Sequence, residues 1–354
     1  MSRLHKPEMR RSKVEASPKS AQFPSKGKPG ALGRWLSRWS AKNSSGDNRR
    51  IPLHSEDDAV PHLPNWHIQR WVLLHAFFPL ALHQIYVTTM GTNVGSIAAF
   101  IFYGICFTVI GAHEVFILNR LGYIYGYFDG KRHVRDSVAR IGGARPIAAL
   151  LLASTLRPML IVWLRYDHRT TPASMSWMWL PVEIGLYALV FDFWFYCYHR
   201  IMHETSLWAY HKTHHHAKHP CTLLSLHTGI MEWIYETAGL PTATLLSFKC
   251  MGLPMGFYEI WVCELYVLWF ELGGHSGIRI NASPPTPFFW LLKAFNVDNS
   301  IEDHDLHHRA GWKLSYNYGK QSRLWDRLFG TSRPRIESVP DNIDYSNPAS
   351  FPLF

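Results

Sequence analysis

More than half of the chain's 21 histidines lie between His199 and His308, and they fall in patterns. The first is His199-Arg-Ile-Met-His203, the second His211-Lys-Thr-His214-His215, the third His304-Asp-Leu-His307-His308. On a helix, side chains at i and i+4 leave from one face, so His199 and His203 can reach the same metal ion. The i, i+3, i+4 spacing of the other two boxes predicts a single helical face for each of them as well. One such pair arises by chance on a surface helix, whereas three boxes, two of identical H-x-x-H-H form, point to metal binding. The eight box imidazoles exceed what one ion takes, since a closed zinc site uses four ligands. Two ions suit them. Imidazole ligates iron, zinc, copper and nickel alike, and of these zinc has no redox chemistry. Spacing leaves the choice between iron and zinc open.

Something must hold the boxes, and composition indicates what. Hydrophobic residues make up 47% of the chain and charged ones 18%, against roughly 25% charged in soluble domains. A spanning helix needs about 20 mainly apolar residues, and four stretches qualify: 71–90, 94–111, 147–164 and 178–198. The first two form a hairpin around Gly91 and Asn93. The third carries Arg157 and Pro158, so a kink or an interfacial position is expected there. A further apolar region, 230–272, is broken by Pro241, Gly252 and Pro254 and must enter and return. The net charge of +10 gathers in the first 65 residues and in the 112–146 loop, which the positive-inside rule assigns to the cytosol. Four crossings then bring the chain back to that side where the boxes begin. Membrane topology explains the charge without nucleic acid. Five scattered cysteines offer no disulfide framework.

The expected fold is all-α: an integral membrane helical bundle of four to six membrane helices under a cytosolic, histidine-rich helical cap. The divisions are a disordered basic tail (1–65), N-terminal membrane helices (66–177), a catalytic domain (178–335) and a C-terminal tail (336–354).

At the boxes the sequence resembles the fatty acid hydroxylase / sterol desaturase superfamily of membrane di-iron oxidoreductases. That family runs from an aromatic-rich segment into H-R-x-x-H, then H-K-x-H-H and H-D-x-H-H, as this chain does from Asp192 to His308. Asn317-Tyr-Gly319 and Trp325-Asp-Arg-Leu-Phe-Gly-Thr331 resemble its ending. The likeness covers roughly 180–332. It implies that the eight box histidines ligate metal. His275, in a Gly-His-Ser-Gly element of the sterol-type branch, joins them. His227 stands where the family has H-P-x-E, but here the sequence departs to His227-Thr-Gly-Ile-Met-Glu232; it is kept as a candidate ligand. The resemblance further implies two iron ions, with zinc able to substitute, and O2 as oxidant. Electrons would come from NAD(P)H through cytochrome b5 or a reductase, the substrate would be a lipid (sterol, other isoprenoid or fatty acyl chain), and the site would be the endoplasmic reticulum membrane with the N-terminus and boxes cytosolic.

Several acids sit in or beside apolar stretches: Glu183, Asp192, Glu232, Glu236, Glu264 and Glu271. Asp192, two turns before His199, is placed to accept the N–H of a ligating imidazole. The others are expected to pair with a neighbouring Arg or Tyr. The competing function is a histidine-rich membrane metal-binding or transport protein without oxidase activity. Transporter sites lie near the bilayer midplane, whereas these histidines flank the apolar segments.

Overall fold

The structure, a computed structural model, describes residues 51–132, 144–226, 228–310 and 313–354. Ser96–Tyr125 explains its environment most directly. On one side of this helix Ile97, Ile101, Ile105 and Val109, every fourth residue, are 52–78% exposed. On the other, Tyr103 and Phe107 pack on Trp261, with ring centroids 4.8 and 6.3 Å apart. Water would penalise that outward aliphatic stripe by about 25 cal/mol per Å²; lipid does not. Asn65–Met90 repeats the pattern, with Leu74, Phe78, Leu82 and Ile85 outward and Ile68, Trp71, Val72 and Ala76 inward.

The helices are α1 (Asn65–Met90), α2 (Ser96–Tyr125), α3 (Ala144–Arg165), α4 (Leu180–Glu204), the single turn α5 (Trp208–His211), α6 (Ile230–Ile234), α7 (Leu240–Cys250), α8 (Phe257–Gly274), α9 (Phe289–Ala294), α10 (Ile301–Ala310) and α11 (Leu324–Leu328). A π-helical turn, Tyr235–Gly239, joins α6 to α7. Two strands, β1 (Val60–Pro61) and β2 (Ile343–Asp344), pair in parallel. Among the described residues α1, α2 and α4 are long and apolar enough to cross a membrane. The protein is a mostly helical membrane bundle.

Contacts between loops define two ends. At one, Asn93 Nδ2 donates to Thr170 O (2.5 Å), Tyr166 OH to Val94 O (2.8 Å) and Tyr258 OH to Thr170 O (3.0 Å). These bonds join the α1–α2 turn, the α3–α4 loop and the start of α8. Gly91 closes α1 there at φ +68°, a conformation other residues rarely adopt. The opposite end carries the strand pair and every box histidine. Helices α1 and α3 and the α6–α7 stack thus run away from the cap, and α2, α4 and α8 return to it.

Helix α8 is the axis, buried on nearly all sides, as expected of a helix apolar all round. Its three acids are each engaged. Glu259 accepts Ser176 N (2.9 Å), Glu264 takes Arg157 (3.0 Å) and Tyr187 OH (2.6 Å), and Glu271 takes Lys320 Nζ (2.7 Å). The Glu264 contacts explain Arg157 inside an apolar stretch: it is the partner of a buried carboxylate. Pro158 is accommodated within α3.

Two boundaries differ from expectation. Helix α2 continues to Tyr125, about four turns beyond residue 111, because Ile117, Leu118 and Leu121 bury against the bundle. Residues 51–64 are built into the cap. Arg279 reaches the carbonyls of Ser55, Asp58 and Ala59 while its Nε holds Glu337 at 2.7 Å, and Val60 pairs with Ile343. Short polar sequence hides such order when the partner lies more than 200 residues away.

Candidate metal centre

Helix α4 brings His199 and His203 to the cap from one face, at i and i+4. Helix α5 ends at His211, and the chain turns through Lys212 and Thr213 into a 3₁₀ turn, His214–His216. Helix α10 carries His304, His307 and His308, and His275 caps the end of α8. Nine of the ten sequence-predicted histidines meet here, each no more than 5% exposed. His227 lies outside the described residues.

The nine divide into two groups. His199, His203, His211, His215 and His307 bring one ring nitrogen each to within 4.8 Å of one another, and His214, His275, His304 and His308 do the same. Neither H-x-x-H-H box keeps to one face, contrary to the expectation from spacing. The 3₁₀ turn throws His214 and His215 to opposite groups. On α10, His304 and His308 serve the four-histidine group and His307 the five-histidine group.

The donor atoms test whether ions fit. His199 Nδ1 donates to Tyr318 O (2.9 Å), His203 Nδ1 to Lys313 O (3.2 Å), His307 Nδ1 to Tyr316 O (2.7 Å) and His275 Nδ1 to Glu271 O (2.7 Å). His211 Nδ1 donates to the Glu232 carboxylate. A carbonyl oxygen only accepts, so the proton sits on Nδ1 and each Nε2 presents a bare lone pair. Those Nε2 atoms converge with the Nε2 atoms of His214, His215, His304 and His308. Nε2–Nε2 separations are 3.1 Å for His199–His211, His203–His215, His211–His215, His215–His307 and His214–His275, and 3.2 Å for His304–His308. Two nitrogens about 2.1 Å from one ion and 90–109° apart lie about 3.0–3.4 Å from each other. Where both Nε2 atoms are bare, as in His199–His211, facing lone pairs at this distance repel unless a cation lies between them.

Burial keeps the cap imidazoles neutral, the form a metal needs. Desolvation holds His211 down to about 3. It also holds His214, His215, His304, His307 and His308 well below the ordinary histidine range, and neighbouring imidazoles push them the same way. The two sets of neutral nitrogen donors fit a di-iron site.

Asp192 touches no imidazole. It accepts from Lys320 N, Gln321 N and Ser322 N (2.8, 2.8 and 3.0 Å) and from Ser322 Oγ (2.7 Å). Lying two turns below His199, it is too deep to reach a ring and grips instead the loop that comes down beside α4. The carboxylate that does hold an imidazole is Glu232. Expected to pair with an Arg or Tyr, it starts α6 and faces His211. Its only sequence signal was an acid at the head of an apolar stretch. The carbonyls of Lys313, Tyr316 and Tyr318 had none, because a backbone acceptor does not depend on the side chain.

A family model described as fatty acid hydroxylase matches residues 184–331, the stretch that carries all nine histidines. The chain is 37% identical over 311 residues to the fatty acid hydroxylase vlmA of a Lecanicillium species, covering 83% of this chain and 84% of that protein. It is 26% identical over 264 residues to methylsterol monooxygenase 2-2 of Arabidopsis thaliana, covering 71% and 91%. With the alkylglycerol monooxygenase of Xenopus tropicalis it shares 25% identity over 187 residues, half of this chain but 35% of that one. No solved structure matches. The vlmA likeness extends far beyond the boxes into the membrane helices that hold them, and the chain belongs to the fatty acid hydroxylase family.

Proposed function

We propose that this protein is an O2-dependent di-iron monooxygenase that hydroxylates a lipid, with desaturation as the alternative outcome of the same C–H oxidation. The observation that carries the reading is the gathering of nine buried imidazoles into two groups with converging Nε2 atoms. His199, His203, His211, His215 and His307 would hold one iron, and His214, His275, His304 and His308 the other. Iron bound there would supply O2 reduction with external electrons, the chemistry that attacks an unactivated C–H bond.

The chain's own residues supply the rest. Backbone carbonyls and Glu232 fix the tautomers of five of the nine imidazoles, and the buried cap keeps bulk water from a reactive centre. Helices α1, α2 and α4 set that centre at the end of a lipid-facing bundle, from which an apolar chain reaches it without entering water. Related proteins are named for fatty acid, alkylglycerol and methylsterol substrates, which supports a long apolar substrate bearing a small polar end. The basic N-terminal region and loops favour a cytosolic cap on the endoplasmic reticulum. Electrons would arrive from NAD(P)H through cytochrome b5 or a reductase, since the sequence carries no haem or flavin motif.

The test is turnover of a lipid panel by membranes containing the protein, with NADPH and ¹⁸O2, beside His211→Ala and His307→Ala. Wild type only should convert a lipid, with label in the product where it is hydroxylated and in water where it is desaturated. Equal turnover by wild type and both variants would sink the proposal.

A further inference from the structure

Three of the five histidines in the larger group take their Nδ1 acceptor from one short piece of chain: His203 from Lys313 O, His307 from Tyr316 O and His199 from Tyr318 O. That piece has no regular secondary structure, and what fixes it is two buried carboxylates on its other side. Tyr318 N and Gly319 N donate to Asp326 Oδ1 and Oδ2 (2.8 and 2.7 Å). Lys320 N, Gln321 N and Ser322 N donate to Asp192 at 2.8–3.0 Å. Five successive amides thus turn toward two acids while the carbonyls of 316 and 318 turn toward the imidazoles. The local sequence permits it. Asn317 sits at φ +53°, a region Asn tolerates. A Cβ at Gly319 would stand 2.7 Å from Ser322 O and 2.9 Å from Asp326 Oδ2, so no larger residue fits. Thr331 Oγ1 donates to Asp326 Oδ1 at 2.7 Å and fastens that acid in turn.

The four-histidine group lacks this support. His275 uses the Glu271 carbonyl, and the Nδ1 atoms of His214, His304 and His308 have no hydrogen-bond partner among the described residues, against one such atom, that of His215, in the five-histidine group.

We infer that the two metal positions are unequal and fill in order, the five-histidine position first, and that Asp326 and Asp192 are the positioning residues that make it so. They act by presenting the carbonyls of 316 and 318 and touch neither metal nor substrate. The inference rests on the di-metal reading above, and its test separates the two. The full chain is purified in detergent, stripped of metal and titrated with Co(II), followed by ligand-field absorption and by bound metal per chain. Wild type should take up two ions in two resolved steps. Asp326→Asn, which sets an amide N–H against one of the two backbone N–H groups, should weaken the first step by 10–100-fold, the range for loss of ligand-orienting partners. The second step should not change. Should Asp326→Asn fail to fold, Thr331→Val removes only the hydroxyl donor to Asp326 and should weaken the first step several-fold. Two indistinguishable steps in wild type, equal weakening of both steps in the variants, or no weakening in either variant would each overturn the inference while leaving the metal centre standing. No cobalt uptake by wild type would overturn the centre and the inference together.

Discussion

Glu232 offers the sharpest test of how the imidazoles are held. Its carboxylate is fully buried and accepts the Nδ1–H of His211, and its other oxygen accepts Gly229 N at 3.4 Å at the head of α6. Glu232→Ala removes the acceptor and frees the His211 proton to move to Nε2, where it would take the ring out of ligation. Loss of such a partner lowers metal affinity 10–100-fold, about 1.4–2.8 kcal/mol at 1.4 kcal/mol per decade. Glu232→Gln keeps an oxygen in place but exchanges a charged acceptor for a neutral one, a difference of about 1 kcal/mol, or about five-fold. The order wild type, Gln, Ala should therefore appear in competition against a chromophoric chelator, with the loss confined to one of the two ions because His211 belongs to one group only. Wild-type affinity in Glu232→Ala would refute the assigned role. Equal loss in Gln and Ala would refute the charge as its source.

His214→Ala and His215→Ala, though neighbours in sequence, should strip different ions: in a cobalt titration the first variant loses the second step and the other the first, and loss of the same step in both would contradict the division of the boxes. Removal of metal by a chelator should lower the melting temperature in detergent and iron should restore it, since an ion at 1,000 times its dissociation constant adds about 4 kcal/mol; an unchanged melt would argue against metal at the site. Arg157→Ala should destabilise the bundle by about 3–5 kcal/mol by leaving Glu264 buried without its cation. Arg157→Met with Glu264→Gln should recover much of that, as read by thermal melting, and a harmless Arg157→Ala would mean that the pair is solvated.

Hydropathy located the helices because a lipid-facing helix shows its character in consecutive residues, as α1, α2 and α4 do. It misplaced the end of α2 because 112–125 mixes His113, Glu114, Asn119 and Arg120 with the apolar residues that bury. The same difficulty hid residues 51–64, whose order comes from Arg279 and β2 and not from their own composition. Glu264 has the expected Arg and Tyr partners in Arg157 and Tyr187, whereas Glu271 pairs with a lysine, Lys320. Glu232 took the part expected of Asp192, and Asp192 holds backbone amides instead. Both are acids near a histidine in sequence, but only the path of the α6 entry, which passes His211, decides which one reaches a ring.

The boxes do gather into groups that could hold metal, but not by the one-face pattern expected from their spacing, and the difference explains the motif. On an α-helix successive residues turn about 100°, so His304 and His308 diverge by about 40° while His307 lies about 60° to the other side of His304. A ligand fan of about 100° is too wide for one ion and suits a helix that points at the gap between two. The second box reaches the same result by another route, breaking helix after His211 so that a 3₁₀ turn of about 120° per residue sets His214 and His215 apart. Adjacent histidines in an H-x-x-H-H box therefore serve different ions. Each such box contributes to both histidine groups from one short stretch of backbone, so the two groups are held next to each other by the box itself.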